Sequence, residues 1–434
     1  MVESLSVVGF IILFFVLVVI GIPIAFSFGI SALLYLLFEM PNNLTILVSQ
    51  SFSALDSFVL LAIPLFIFAG DVMKSGGISR TIVDFTYFFV KKIKGGLAHV
   101  TVLASAFFGA ISGSSAATVA AIGGIMIPEM VKRGYNQKYA VAVASAAGVL
   151  GIIIPPSIPM IVYAMTTNVS IARLFLAGIV PGILLVVVFA IVNILMESKY
   201  RTSGVVEEMV LETGSKKKKP WHAVPALIMP VIVLGGIYLG IFTPTEAGAV
   251  ALFYGIMVGM FYYKELNFKE LIRTSKSSAY TSALIMIIIS MAGVFGWLIT
   301  TQRIPELFSS FITGITDEKV LILLILNVFY LILGSFLETI TAILITTPIF
   351  LPLIIFLEID LIHFGVIQTL NLALGLITPP MALNLLVASR ISGVPMMQAV
   401  KPLLPYFLAT LIVLQLVTYI PEISLFLPNL LMGE

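Results

Sequence analysis

Ser112, Ser114 and Ser115 stand in the run ISGSSA (111–116), within an otherwise apolar stretch that also carries Gly109 and Gly113. Hydroxyl oxygens beside glycines that let backbones approach closely can hold a cation without carrying charge themselves. Residues 148–157 read GVLGIIIPPS. Pro155 and Pro156 remove two backbone donors and clash with the preceding turn, so a helix must break there. Such a break exposes the carbonyl oxygens between Gly151 and Pro155. The same kit recurs later, with Gly334, Ser335 and Thr339 followed by LALGLITPPM (372–381), which holds Gly375, Thr378 and the carbonyls around Pro379. Hydroxyls plus carbonyls at half-helix C-terminal ends are a ligand set for Na⁺, and half-helix N-termini offer positive dipole ends to a carboxylate. The expected cargo is therefore an anion carried with sodium. Enzymatic motifs are missing, with no P-loop and no HExxH, so the chain reads as a non-enzyme with no cofactor beyond the coupling ion.

Each feature has a plainer account. Ser/Gly tips also serve helix–helix packing in membranes, and proline kinks can simply shape a bundle. Glu338 is the one acidic residue deep in a hairpin, a functional candidate by position, or else an acid at a wetted tip. Asp71 and Arg390 lie near span ends, where long side chains reach the interface. Glu246 in TPTEAG suits a helix cap, and Lys216–Lys219 a charge cluster facing lipid headgroups.

These residues need helices that stop inside a membrane, and the chain supplies them twice. A constant offset of 224 residues, as from Gly151 to Gly375, also pairs Pro128 with Pro352, Pro155 with Pro379 and Pro181 with Pro405. In the first half we expect two spans within 4–38 turning near Gly21, a third over 52–73 and an amphipathic basic arm at 78–94. Next come a re-entrant hairpin over 97–131, a broken span 138–166, a span 172–196 and a charged linker 199–220. The second half repeats this with spans 222–242, 245–263 and 277–300, an arm at 304–314, a hairpin over 320–356, a broken span 361–389 and a last span 398–420. Five crossings per half turn the second half upside down, an inverted repeat. Under that count 20 of the 23 basic residues fall on one side, with Arg173, Arg303 and Lys319 opposite. By the positive-inside rule that side is cytoplasmic and both termini lie outside.

Composition fixes the compartment. Hydrophobic residues make up 60% of the 434 and charged residues 10%, against about 25% charged in soluble domains, and the mean hydropathy is +1.16. There is no cysteine, and the three histidines are scattered, which excludes disulfides, thiolate chemistry and Cys-ligated metals. Nucleic acid is not an expected partner. The start MVESLS lacks a basic n-region and a cleavage site, so the first span reads as uncleaved.

The stretches IPLFIFAGDVMKSGGI (63–78), FFGAISGSSAATVAAIGGIMIPEMVKRGY (107–135), GIIIPPSIPMIVYA (151–164), FTPTEAGAV (242–250), GSFLETITAILITTPIFLP (334–352) and GLITPPMALNL (375–385) give the chain a family. It resembles the large membrane (M) subunit of tripartite ATP-independent periplasmic, or TRAP, transporters. The resemblance implies an all-α polytopic, inverted-repeat elevator-type fold with two re-entrant hairpins and two broken helices, in a bacterial inner membrane. It implies sodium-driven import of an organic acid such as a C4-dicarboxylate or sialic acid. It also implies two partners absent from this chain, a small four-helix membrane subunit and a periplasmic substrate-binding protein. Sodium sites carry over to Ser112, Ser115, Gly151 and Pro155, and to Gly334, Gly375, Thr378 and Met381, the last through its carbonyl. Cargo is expected against Ser114, Glu338, Thr339, Pro156 and Pro379. Ser114 pairs with Glu338 under the 224 offset, so the two sites need not match in charge. The implied division is scaffold and arm at 1–94 and 221–314, transport halves at 97–166 and 320–389, and connecting parts at 172–220 and 398–434.

A self-sufficient Na⁺/dicarboxylate elevator symporter is the neighbouring alternative. A proton-translocating or channel-like subunit would need several mid-span ionisable residues, where only Glu338 qualifies. The topology is open to a direct test in a chain without cysteine. A cysteine at Lys217 should react with impermeant maleimide only from the cytoplasmic side, and one placed in 303–319 only from outside. Labelling at position 217 in intact cells would overturn the crossing count.

Overall fold

The computed structural model describes residues 2–90, 93–201 and 220–433. Among these residues the chain is helical throughout, with one isolated bridge between Tyr135 and Arg201. Ten helical stretches are long and apolar enough to cross a membrane. Large apolar side chains such as Phe26, Phe38, Phe253 and Phe261 are exposed on the outside, as lipid-facing helices require.

The first half opens with Val2–Val19 and Ile24–Glu39, turning at Gly21 in the left-handed region (φ +92°). The third span begins later than its hydropathy suggests. The helix Thr45–Ser53 ends before Asp56, and the chain re-enters through the 3-10 turn Phe58–Leu61 and the helix Ala62–Ser75. Pro64 falls in that helix's first turn, where its missing N–H costs nothing. In the second half the same segment is one unbroken helix, Phe268–Thr301. No proline interrupts it, and Ile288 stands where the offset would place Pro64.

Hairpins and breaks obey the repeat. The arm Ile78–Val90 leads into Gly96–Ser112, which turns at Gly113 (φ +61°) into the helical run 115–132, π-helical over Val119–Gly123. The first broken span is Gln137–Gly148 with Leu150–Ile153, then Ile158–Thr167. After Ile171–Tyr200, the helices Val224–Tyr238 and Pro244–Met257 lead through Phe268–Thr301 to the second arm, Ile304–Thr313. The second hairpin is Lys319–Phe336 with Thr339–Phe356, and the second broken span is Leu361–Gly375 then Leu383–Ser392. Each arm packs on its own hairpin, Phe85 against Phe107 and Phe308 against Phe350.

The last span of each half packs on the broken helices. Tyr139 of the first broken span stacks on Tyr200, ring centroids 4.9 Å apart, and its hydroxyl lies 3.1 Å from that of Tyr406 in Met396–Tyr419. Tyr406 in turn donates to Asn193. A C-terminal helix, Glu422–Met432, lies beyond the last span that the sequence predicts. Its 11 residues are too short to cross a bilayer. It lies along Ile171–Tyr200, where the Arg173 guanidinium donates to Asn429 Oδ1 at 3.0 Å. Most of the linker, including Lys216–Lys219, lies outside the described residues.

Candidate functional site

Each hairpin tip closes onto a broken helix. At the first, the carbonyl of Gly113 accepts from the N–H of Ile158, just past the break, at 3.2 Å. The helix can stop there because Ser157 caps the next one, its Oγ accepting from Met160 N at 3.4 Å. Gly151 is required for the approach. A Cβ there would overlap Thr118 Oγ1 and stand 2.7 Å from the Ser114 carbonyl oxygen. Around it Thr118 Oγ1 donates to Ser114 O at 2.8 Å and lies 3.2 Å from Ser112 Oγ. Ser115 Oγ reaches Gly148 O at 2.9 Å. Ser112, Ser115, Gly151, Pro155 and Pro156 are buried, and Ser114 is half-buried.

The second tip closes in the same manner, with Met381 N donating to Ser335 O at 3.1 Å. Here the backbones touch through Gly334 and Gly375; a Cβ on Gly375 would lie 2.6 Å from Gly334 Cα. Thr378 Oγ1 donates back to Leu374 O at 2.8 Å and Ser335 Oγ to Ile332 O at 2.7 Å. Their hydrogens are thus parked on their own helices, and oxygen lone pairs remain for a ligand. Thr339 Oγ1, buried beside the tip, has no hydrogen-bond partner. This site is the more open one. Thr378 and Pro379 are half-buried, Pro380 is exposed, and Met381 is 58% exposed.

The dipole ends expected to greet an anion are mostly occupied. Ser114 caps the return helix of the first hairpin through Ala117 N, and Glu338 caps that of the second, accepting from Ile340 N at 3.0 Å and Thr341 N at 3.4 Å. Glu338 therefore meets its own helix first, a local role that its depth in the hairpin does not reveal. The helix Leu383–Ser392 starts at Ala382 in a left-handed conformation (φ +40°) with no side-chain cap, leaving its N-terminus beside exposed Met381.

Two residues belong at the site that the motifs do not single out. Thr118 lies one turn after Ser115 on the same helix face, a spacing that could have found it. Asn384 comes from the second broken span yet touches the first tip, its Oδ1 accepting from Ser115 Oγ at 2.9 Å; a lone amide in an apolar run is the only sign of it in the chain. No group of three or more His, Cys, Asp or Glu that could hold a metal ion occurs among the described residues.

The glycine contacts give a sharp expectation. Gly375→Ala should destabilise the folded protein by about 1–3 kcal/mol, the usual cost of overpacking, read as a lowered melting temperature in detergent. Gly235→Ala, where a Cβ meets nothing within 4 Å, should be neutral or slightly stabilising.

The chain matches the family described as "Tripartite ATP-independent periplasmic transporter, DctM component" over residues 11–423. It is 41% identical over 404 residues to the C4-dicarboxylate TRAP transporter large permease protein DctM of Pseudomonas aeruginosa, covering 93% of this chain and 94% of that protein. It is 40% identical over 413 residues to the isethionate TRAP transporter permease protein DctMQ of Oleidesulfovibrio alaskensis. That match covers 95% of this chain and 65% of DctMQ, so the chain spans less than two thirds of that relative's length. Among solved structures it is similar to the YdaH transporter of Alcanivorax borkumensis, with a TM-score of 0.60 at 17% identity over 86% of each chain, a likeness of fold alone. With paired hairpins and broken helices in place and the family matched over nearly its whole length, this multi-pass membrane protein belongs to the DctM component family of tripartite ATP-independent periplasmic transporters.

Proposed function

We propose that the chain is the permease subunit that imports a small organic anion across the bacterial inner membrane, driven by sodium. A periplasmic binding protein delivers the anion, and a small four-helix membrane subunit completes the assembly. The observation that carries this reading is the pair of tip-and-break sites lined by carbonyl and hydroxyl oxygens, with no basic side chain among their residues. A buried anion without a partner is costly. At these sites the countercharge must come from bound cations, which makes anion and cation binding mutually dependent. The sodium ligands are drawn from Ser112, Ser115, Gly151 and Pro155 at one tip, and from Gly334, Gly375, Thr378 and Met381 at the other. Ser114, Thr339, Pro156 and Pro379 face the cargo, with Glu338 setting the local charge. Relatives named for C4-dicarboxylates and for isethionate support an organic anion as the class. The extra length of DctMQ supports a further membrane subunit.

Transport by this arrangement is an elevator movement. The mobile unit is 97–166 with 320–389, and the first three spans of each half with their arms form the scaffold. Gly95, at φ +80° between arm and first hairpin, is a natural hinge. The scaffold meets the first tip where Gly70 of Ala62–Ser75 faces Ser112; a Cβ on Gly70 would lie 3.2 Å from Ser112 Cβ.

Two measurements test the reading, both on vesicles reconstituted with the partner subunits. Ser115→Ala and Thr378→Val each remove an oxygen ligand at little change in size. Each should weaken apparent sodium affinity by about 5–150-fold, from about 1–3 kcal/mol for an oxygen lost at a buried polar site. Unchanged sodium dependence in both variants would remove the tip assignment. Gly70→Cys combined with Ser112→Cys should lose on oxidation the uptake that the reduced pair retains, and reductant should restore it to that level. Uptake in the cross-linked state equal to that of the reduced pair would exclude the elevator.

A further inference from the structure

Asn384 lies in the second broken span, two residues past left-handed Ala382, but its side chain ends at the first tip. It is fully buried. Its Oδ1 accepts from Ser115 Oγ at 2.9 Å, its Nδ2 donates to Ser145 O at 3.1 Å, and its own backbone N–H donates to Leu376 O at 3.0 Å across the second break. A backbone carbonyl can only accept, so the contact with Ser145 fixes which way the amide lies. Gly148 leaves the room for it; a Cβ there would stand 3.0 Å from Nδ2. Ser115 has one hydroxyl hydrogen and two acceptors at 2.9 Å, Gly148 O and Asn384 Oδ1. Repeat symmetry does not demand this residue, because the 224 offset places apolar Met160 at the matching position.

We propose that Asn384 is a positioning residue that couples occupancy of the first tip to the geometry of the second, an inference that rests on the sodium reading above. A cation that takes Ser115 Oγ as a ligand leaves its hydrogen facing away. With the Gly148 carbonyl drawn toward the ion, that hydrogen settles on Asn384 Oδ1. The bond fixes the Asn384 amide and with it the segment whose backbone closes the second break, next to Thr378 and Met381. Filling one site thereby lowers the cost of ordering the other, which is positive coupling between two ion sites.

The test is sodium activation of uptake in the complete reconstituted transporter, read as a Hill coefficient and a half-activating concentration. The wild type should respond with a Hill coefficient above 1. Asn384→Leu, similar in volume but without polar atoms, should still need sodium, with the coefficient falling toward 1 and the midpoint rising about 5–50-fold. Asn384→Ser, too short to reach Ser115, should show the same loss and serves if the leucine variant elutes aggregated. Asn384→Asp, which burial keeps in its neutral form, still offers Ser115 an acceptor and the Ser145 carbonyl an O–H donor, and should retain the steepness at a similar midpoint. Leucine and serine variants that match the wild type in steepness and midpoint would overturn the coupling while leaving the sodium reading intact. An aspartate variant as shallow as the leucine one would overturn the role of the Oδ1 bond. A wild type indifferent to sodium would overturn the sodium reading and the coupling with it.

Discussion

Breaking a helix inside an apolar chain frees backbone donors and acceptors that lipid cannot satisfy. Both breaks meet this constraint in the same way. A hairpin tip is driven against the break until a tip carbonyl accepts from an amide on its far side, Gly113 O from Ile158 and Ser335 O from Met381. That closure needs bare backbone at the contact, which explains glycine at 151, 334 and 375. It also brings carbonyls of the tips and interrupted helices beside hydroxyls, as where Gly148 O accepts from Ser115 and Ser114 O from Thr118. The hairpins, the arms that hold them and the last spans packed behind the breaks are all arranged around these two closures.

The two closures share a plan but differ in chemistry. The first is buried and neutral, its hydroxyls knitted together through Thr118 and Ser114. The second is more exposed and carries the Glu338 carboxylate where the first has Ser114. It also adjoins Leu383–Ser392, which alone among the four half-helices at the tips and breaks starts without a side-chain cap. Polar groups behind the second tip have no counterpart in the first. Gln368 bonds Tyr330, Thr346 and Thr347, and Asn371 bonds Asn327, where the offset finds alanine, isoleucine, glycine and leucine. Buried amides of this kind fix the relative position of helices that apolar contacts alone would let slide. Away from the tips, the second hairpin is thus held to its broken span by hydrogen bonds, the first chiefly by packing.

The membrane class, the order of spans and the repeat can be read from the chain alone, because each leaves a local mark. Apolar runs of span length, Pro-Pro at 155–156 and 379–380, and the Ser/Gly tip at 112–115 reflect what a short segment can do in hydrocarbon. The glycines and hydroxyls of both tips are legible for the same reason. The late start of the third span and the extra C-terminal helix are not. Hydropathy averages over a short polar interruption at Asp56 and does not distinguish a crossing from a helix lying on its neighbours. It takes the folded molecule to show that Glu338 caps its own helix, that the second tip is the open one and that Asn384 reaches Ser115 from 269 residues away. Those outcomes depend on how two interlocked halves pack, and a contact between distant residues leaves no period or spacing in the chain.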